Sequence, residues 1–238
     1  MILHPMFKWF GSKWSASRSG HYPVPVGDIH EPFAGGAGYS LVHYERNVVL
    51  WDTDKHLQVL WPWLLQAKES DIREIPIGVP VGTDIRHLGL SAGQATLLKS
   101  WQRTNSIGDC WTISSWGHLP GQWTENTRSR VAEEVQAIKH WRFQKPIDDW
   151  HGTRFVDPPY QYNYQYNSPP IDYSHLASRI IHEWSSSGLV IVVEAKGENG
   201  DVPTWLPFQS SHMQVTSRRK SGNHHHSSEL VWISASDG

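Results

Sequence analysis

The run Leu189-Val190-Ile191-Val192-Val193 holds five consecutive apolar residues, four of them β-branched, and constrains the fold more than any other stretch. A strand built from it turns apolar side chains to both sides. Both faces must then be covered, as they are for a central strand of a parallel sheet. Just ahead, Leu176, Ile180, Ile181 and Trp184 recur at helical spacing, giving helix and then strand. Val48-Val49-Leu50-Trp51-Asp52 reads as a second, shorter buried strand that ends in an acid. Asp54 to Lys68 reads as helix, kinked or restarted at Pro62. Ser91 and Gln94 form a capping-box pattern that starts another helix. Between Thr127 and Phe143, Val131, Val135 and Ile138 make the apolar stripe of a helix. Arg142 continues that spacing, and Arg128, Arg130 and Lys139 lie elsewhere on the same helix. Residues 212–219 and 227–235 read as two strands joined by a polar turn. Strands alternating with helices and closed by an antiparallel hairpin indicate a doubly wound α/β sheet.

The chain has 238 residues, enough for one such domain with a modest insertion. No segment approaches the ~18 uninterrupted apolar residues of a membrane span, and Met1 to Lys13 lacks the pattern of a secretory signal. The single cysteine, Cys110, leaves no intramolecular disulfide and fits a reducing cytoplasm, with the thiol as a buried or half-buried small side chain. Formal charge is −2, so basic groups for nucleic acid have to be gathered on one face. The 14 tryptophans read mostly as packing, with one or two available to stack on unpaired bases.

Three patches carry chemistry. Glu31-Pro32-Phe33-Ala34-Gly35-Gly36-Ala37-Gly38 reads as a strand end, a glycine-rich turn and a helix start, where a ligand can approach the backbone and face its N–H groups. Asp52, at the end of the next strand, can accept both hydroxyls of a ribose or act as a helix N-cap. The third patch is Arg154-Phe155-Val156-Asp157-Pro158-Pro159-Tyr160. Here a strand delivers a carboxylate, and two prolines fix the Pro158 carbonyl beside it. Asp157 and that carbonyl can accept both hydrogens of an exocyclic amine, and Tyr160 offers a face for a base.

With Phe7-Lys8-Trp9-Phe10-Gly11-Ser12-Lys13 at the start of the chain, the order of these patches resembles the Dam-type DNA adenine methyltransferases. The glycine turn and the Asp-Pro-Pro-Tyr tetrad match closely and the Asp52 strand more loosely. Arg218, Arg219 and Glu229-Leu230 are similar to that family's terminal hairpin. The resemblance implies a Rossmann-like methyltransferase sheet over residues 1–84 and 151–238, with a small target-recognition insertion at 85–150. It implies S-adenosylmethionine as cofactor, double-stranded DNA as partner, and no obligatory protein partner. Trp9, Lys13, Phe33, Gly35, Gly38, Asp52 and Asp157 would line the cofactor site, while Asp157, Pro158 and Tyr160 would hold a flipped adenine.

The segment 85–150 carries no convincing family pattern, and Glu194-Ala195 replaces the small polar pair expected after the apolar run. An aspartate heading the tetrad favours adenine over cytosine N4 or a protein glutamine, whose enzymes resemble Ser-Pro-Pro-Tyr and Asn-Pro-Pro-Tyr. The same patches would also suit an enzyme acting on RNA adenine, or a non-catalytic DNA-binding relative. Arg128, Arg130, Lys139, Arg142 and Arg218-Arg219-Lys220 are the basic clusters expected to meet phosphates. His224-His225-His226 reads as a solvated turn able to meet phosphate rather than a metal site, because three adjacent histidines cannot easily converge on one ion.

Overall fold

The structure is a computed structural model that describes residues 2–102, 110–119, 121–146, 150–160, 171–184, 188–195, 205, 213–217 and 227–234. Helix α1 (Trp14–Arg18) leads into β1 (Asp28–Glu31), α2 (Gly38–Val42) and β2 (Val48–Leu50). Four helices follow before the edge strand β3 (Arg142–Phe143): α3 (Lys55–Gln66), α4 (Glu69–Arg73), α5 (Ala92–Ser100) and α6 (Glu125–Glu134). Then come β4 (Gly152–Val156), α7 (Tyr173–Arg179), β5 (Gly188–Ala195), β6 (Met213–Ser217) and β7 (Ser227–Ser234).

These strands form one sheet in the order β3-β2-β1-β4-β5-β7-β6. Neighbours from β3 through β5 are parallel, and β7 is antiparallel to both β5 and β6. The chain winds outward from β1 to β3 and then returns to β4 on the other side of β1. The strand order therefore reverses between β1 and β4, where a doubly wound sheet opens a crevice at its carboxyl ends. Both faces of β5 are covered, as its composition requires. Leu189, Ile191 and Val193 join the core built around α3, α5 and α6, while Val190 and Val192 pack with Leu176, Ile180 and Trp184 on the opposite face.

Several expectations hold and several are corrected. Ser91 and Gln94 form the reciprocal capping box at the start of α5, and β6 and β7 form the terminal hairpin. Helix α3 is one element through Pro62 and does not restart there. Its buried face of Leu57, Leu60, Trp61 and Leu64 continues across the proline, and that packing outweighs one missing hydrogen bond. The helix expected to reach Phe143 ends earlier. Helix α6 passes into a 3-10 turn at Val135–Ile138, which keeps Val131, Val135 and Ile138 buried but leaves Arg142 on edge strand β3.

The described residues of segment 85–150 contribute to the main core. Ile85, Leu97, Leu98, Trp101, Ile113, Trp123, Val131 and Trp141 share one core with Leu50, Leu57 and Trp61, and β3 at its end belongs to the sheet. No helix among the described residues is long and apolar enough to cross a membrane.

Strand β1 also buries two titratable groups. His30 is fully buried, and neither ring nitrogen has a hydrogen-bond partner among the described residues. Burial first, then the charges of Arg154 and Arg179, push it down to about 3. An unfolded histidine titrates near 6.5, so between about pH 6.5 and 3 the unfolded chain binds a proton that the folded chain refuses. The folded state is unpenalised above that window and loses stability as pH falls through it. His30→Leu should remove roughly 3 kcal/mol of the stability lost between pH 7 and pH 4, measured by denaturant unfolding at both pH values. Parallel acid limbs in wild type and variant would show that His30 is not the group responsible.

Candidate functional site

The crevice at the β1/β4 reversal is lined by Trp9, Phe10, Gly11, Ser12, Lys13, Glu31, Phe33, Ala34, Gly35, Gly36, Gly38, Asp52, Thr53, Phe155, Asp157, Pro159 and Ile171. Every residue assigned to a cofactor site from sequence is among them. Sheet topology explains the convergence: Glu31 ends β1, Asp52 follows β2 and Asp157 follows β4, on adjacent parallel strands.

The amino-terminal segment closes this crevice by packing on the glycine turn. At Gly38 a β-carbon would lie 2.4 Å from the Trp14 nitrogen and 2.9 Å from the Lys13 backbone. At Gly35, where φ is +47°, it would lie 2.9 Å from the Trp9 ring. The close approach that these glycines permit is therefore made first by the chain itself. Three amides of the turn are bonded within the chain. Ala34 donates to the Trp51 carbonyl (2.8 Å), Ala37 to the Ala34 carbonyl (2.6 Å) and Gly35 to Asp52 Oδ2 (2.9 Å). The Trp61 indole donates to the Gly35 carbonyl at 2.9 Å, tying the turn to α3.

Asp52 is half-buried and joins the end of β2 to the turn, since its Oδ1 also accepts from the Asp54 amide at 2.9 Å. Burial raises its pKa against these bonds. The N-cap of α3 is Asp54, which accepts from the His56 and Leu57 amides, so the capping role open to Asp52 in the sequence falls two residues later.

At the end of β4, Asp157 Oδ2 lies 2.8 Å from Lys13 Nζ. The Lys13 ammonium also donates to the Gly11 carbonyl at 2.8 Å and sits 5.0 Å from the Tyr160 ring centroid. Pro158 is buried, and the Tyr173 hydroxyl donates to the Pro159 carbonyl, which fixes the loop after β4 from α7. Behind Tyr173, the Trp205 indole donates to Glu194 Oε2 at 3.0 Å, and the Tyr173 and Trp205 rings are 5.3 Å apart. Burial and, secondarily, the Glu194 charge push the Tyr173 hydroxyl up to about 12, so it stays a donor. The unexpected Glu194 thus belongs to the support of this loop. The acid is visible in the sequence, but its indole partner on a separate segment is not.

Glu31 is a further member of the site, to which the sequence alone assigns no role. It is buried, accepts from the Ser40 amide (2.8 Å) and hydroxyl, and is pushed up to about 8. Burial dominates, and the neighbouring Asp157 charge adds to it.

The basic residues expected at phosphates are placed differently. Arg128 pairs with Glu125 (2.6 Å) and donates to the Ile75 carbonyl. Arg130 pairs with Glu134 (2.8 Å) and donates to the Pro5 carbonyl. Lys139 donates to the Leu64 and Ala67 carbonyls at the end of α3, and burial lowers it to about 8. These three half-buried cations have partners within the fold, whereas Arg142 is exposed. Arg218, Arg219, Lys220 and His224 to His226 lie outside the described residues.

Glu31 gives a second stability test. The folded chain keeps a proton that the unfolded chain has released between about pH 4.5 and 8, so stability is full below that window and falls as pH rises through it. The slope is at most about 1.4 kcal/mol per pH unit. Glu31→Gln keeps an acceptor for Ser40 and should melt above wild type at pH 8.5 but level with it at pH 4.5. An equal offset at both pH values would place the ionisation of Glu31 in the ordinary carboxylate range. No model of a known protein family matches this chain, and no curated protein matches it.

Proposed function

We propose that the crevice binds S-adenosylmethionine and that the chain transfers a methyl group to the N6 amine of an adenine turned out of DNA, as a Dam-type enzyme. The observation that carries this reading is the convergence of Asp52, Glu31, Asp157 and Pro159 at the sheet's reversal point. With Glu31 held protonated near pH 7 and Asp157 paired to Lys13, the carboxyl groups of the crevice leave it without an excess of positive charge. A wall without excess positive charge disfavours the phosphates of a dinucleotide. A half-buried carboxylate at the end of β2 suits a ribose diol, and half-buried Phe33 and Trp9 offer apolar walls.

The cofactor, when bound, supplies a methyl group already activated on sulfonium. The chain's own work is to hold the acceptor amine in line and shape its electrons. An adenine amine is a poor nucleophile because its lone pair is delocalised into the ring. Asp157 and the Pro158 carbonyl, accepting both amine hydrogens, favour a pyramidal nitrogen with its lone pair free, and the carboxylate offsets the positive charge that develops there. Tyr160 offers the stacking face that offsets part of the roughly few kcal/mol needed to unstack the base. Tyr173, through the Pro159 carbonyl, keeps this loop in place. DNA contact is assigned to segment 85–150, with exposed Arg142 as a phosphate partner, and separately to Arg218-Arg219-Lys220.

Asp157→Asn keeps the size of the side chain and removes its charge, so methyl transfer to adenine DNA should slow at least about tenfold, since a charge-assisted hydrogen bond is about twice as strong as a neutral one. Full activity of Asp157→Asn would overturn the mechanism. Asp52→Ala should weaken S-adenosylmethionine binding by about 1–3 kcal/mol in calorimetry. Unchanged affinity would remove Asp52 from the cofactor site.

A further inference from the structure

Lys13 combines features that its place in a cofactor wall does not explain. Its side chain is only 4% exposed, yet it ends in the crevice on Asp157 Oδ2 at 2.8 Å, with the Gly11 carbonyl as a second acceptor. Its ammonium also lies over the Tyr160 ring. A carboxylate, a backbone carbonyl and an aromatic face are the three kinds of group that the proposed mechanism gives to the target amine and its base. A purine stacked on that face of Tyr160, with its amine on Asp157, would overlap the ammonium.

We propose that the Lys13 ammonium is a resident stand-in for the substrate's amino group, seated on Asp157 and Tyr160 until the amine of a flipped base displaces it. This rests on the amine-binding reading of the Asp157 loop given above. The geometry supplies both the occupant and its route out. The main chain at residue 13 is clamped, because its N and C atoms lie where a Gly38 β-carbon would intrude and its carbonyl accepts from the Ser17 amide and hydroxyl. The long side chain beyond Cα can rotate about staggered torsions without disturbing that clamp. In the empty crevice the stand-in keeps Asp157 paired and the loop oriented. In the occupied one it yields both acceptor and ring. Substrate binding then carries the cost of displacing a cation, so an amine that bonds Asp157 well enters and a base without one does not.

The test compares two single-stranded thymine oligonucleotides, one with a single adenine and one with purine, which lacks the 6-amino group, at the same place. Their affinity ratio isolates the amine and cancels phosphate attraction, which loss of the lysine charge changes equally for both. In Lys13→Met the preference for adenine should rise about threefold or more over wild type, because the competent fraction of sites is no longer reduced by the occupant. In Lys13→Arg, which keeps a cation, it should not rise. An adenine preference present in wild type and unchanged or smaller in Lys13→Met would overturn the stand-in while leaving the amine reading intact. No preference in either protein would overturn both. A second measurement needs no variant. Acylation of Lys13 in the wild-type protein, followed by mass spectrometry, should be faster with saturating adenine oligonucleotide than with the purine one, and equal labelling would overturn the proposal.

Discussion

Covering β1, β4 and β5 on both faces is the constraint from which the rest of the structure follows. A strand sandwiched between two apolar layers has no lateral exit for a polar side chain, so carboxylates on such strands belong at their ends. Glu31 and Asp157 stand at the ends of adjacent parallel strands, and Asp52 follows the strand beyond. Their meeting is a result of sheet order, and the crevice that they line is where the order reverses. Where β1 does bury titratable groups, it keeps them neutral: burial drives His30 down and Glu31 up, so neither carries charge into the layer near pH 7.

The same packing gives the glycine turn an unexpected use. Gly35 and Gly38 admit Trp9 and the Lys13–Trp14 backbone, and the turn's amides bond to Asp52 and to neighbouring carbonyls. The amino-terminal segment is thereby built into the crevice wall, and Lys13 is delivered to Asp157. The loop after β4 is then held on two sides, by Lys13 from the amino terminus and by Tyr173 from α7. A short proline-stiffened segment with such support suits work that consists of positioning.

Legibility in the sequence followed the range of the interaction. The two-faced burial of β5, the Ser91–Gln94 capping box and the terminal hairpin were all readable, because each is written in neighbouring residues. Pro62 misleads because helix α3 is held by a tertiary face that continues past it. The partners of Arg128, Arg130 and Lys139 (Glu125, Glu134 and the end of α3) are not foreseen, because a basic side chain looks the same in sequence whatever it meets. Asp52 and Asp54 cannot be told apart as caps until the turn of α3 is placed. Every expected cofactor-site residue reaches the crevice, but the pairing of Lys13 with Asp157 joins distant segments and has no local signature.

The central claim is chemical: the crevice at the sheet's reversal point, with Asp157 in its lining, moves a methyl group to an adenine amine. It is tested most directly by incubating the protein with isotopically methyl-labelled S-adenosylmethionine and unmethylated double-stranded DNA, digesting the DNA to nucleosides and identifying the labelled one by mass spectrometry. The account predicts label in N6-methyldeoxyadenosine, and none when Asp157→Ala replaces the wild-type protein. Label in a cytosine nucleoside, or equal adenine labelling by Asp157→Ala, would contradict it.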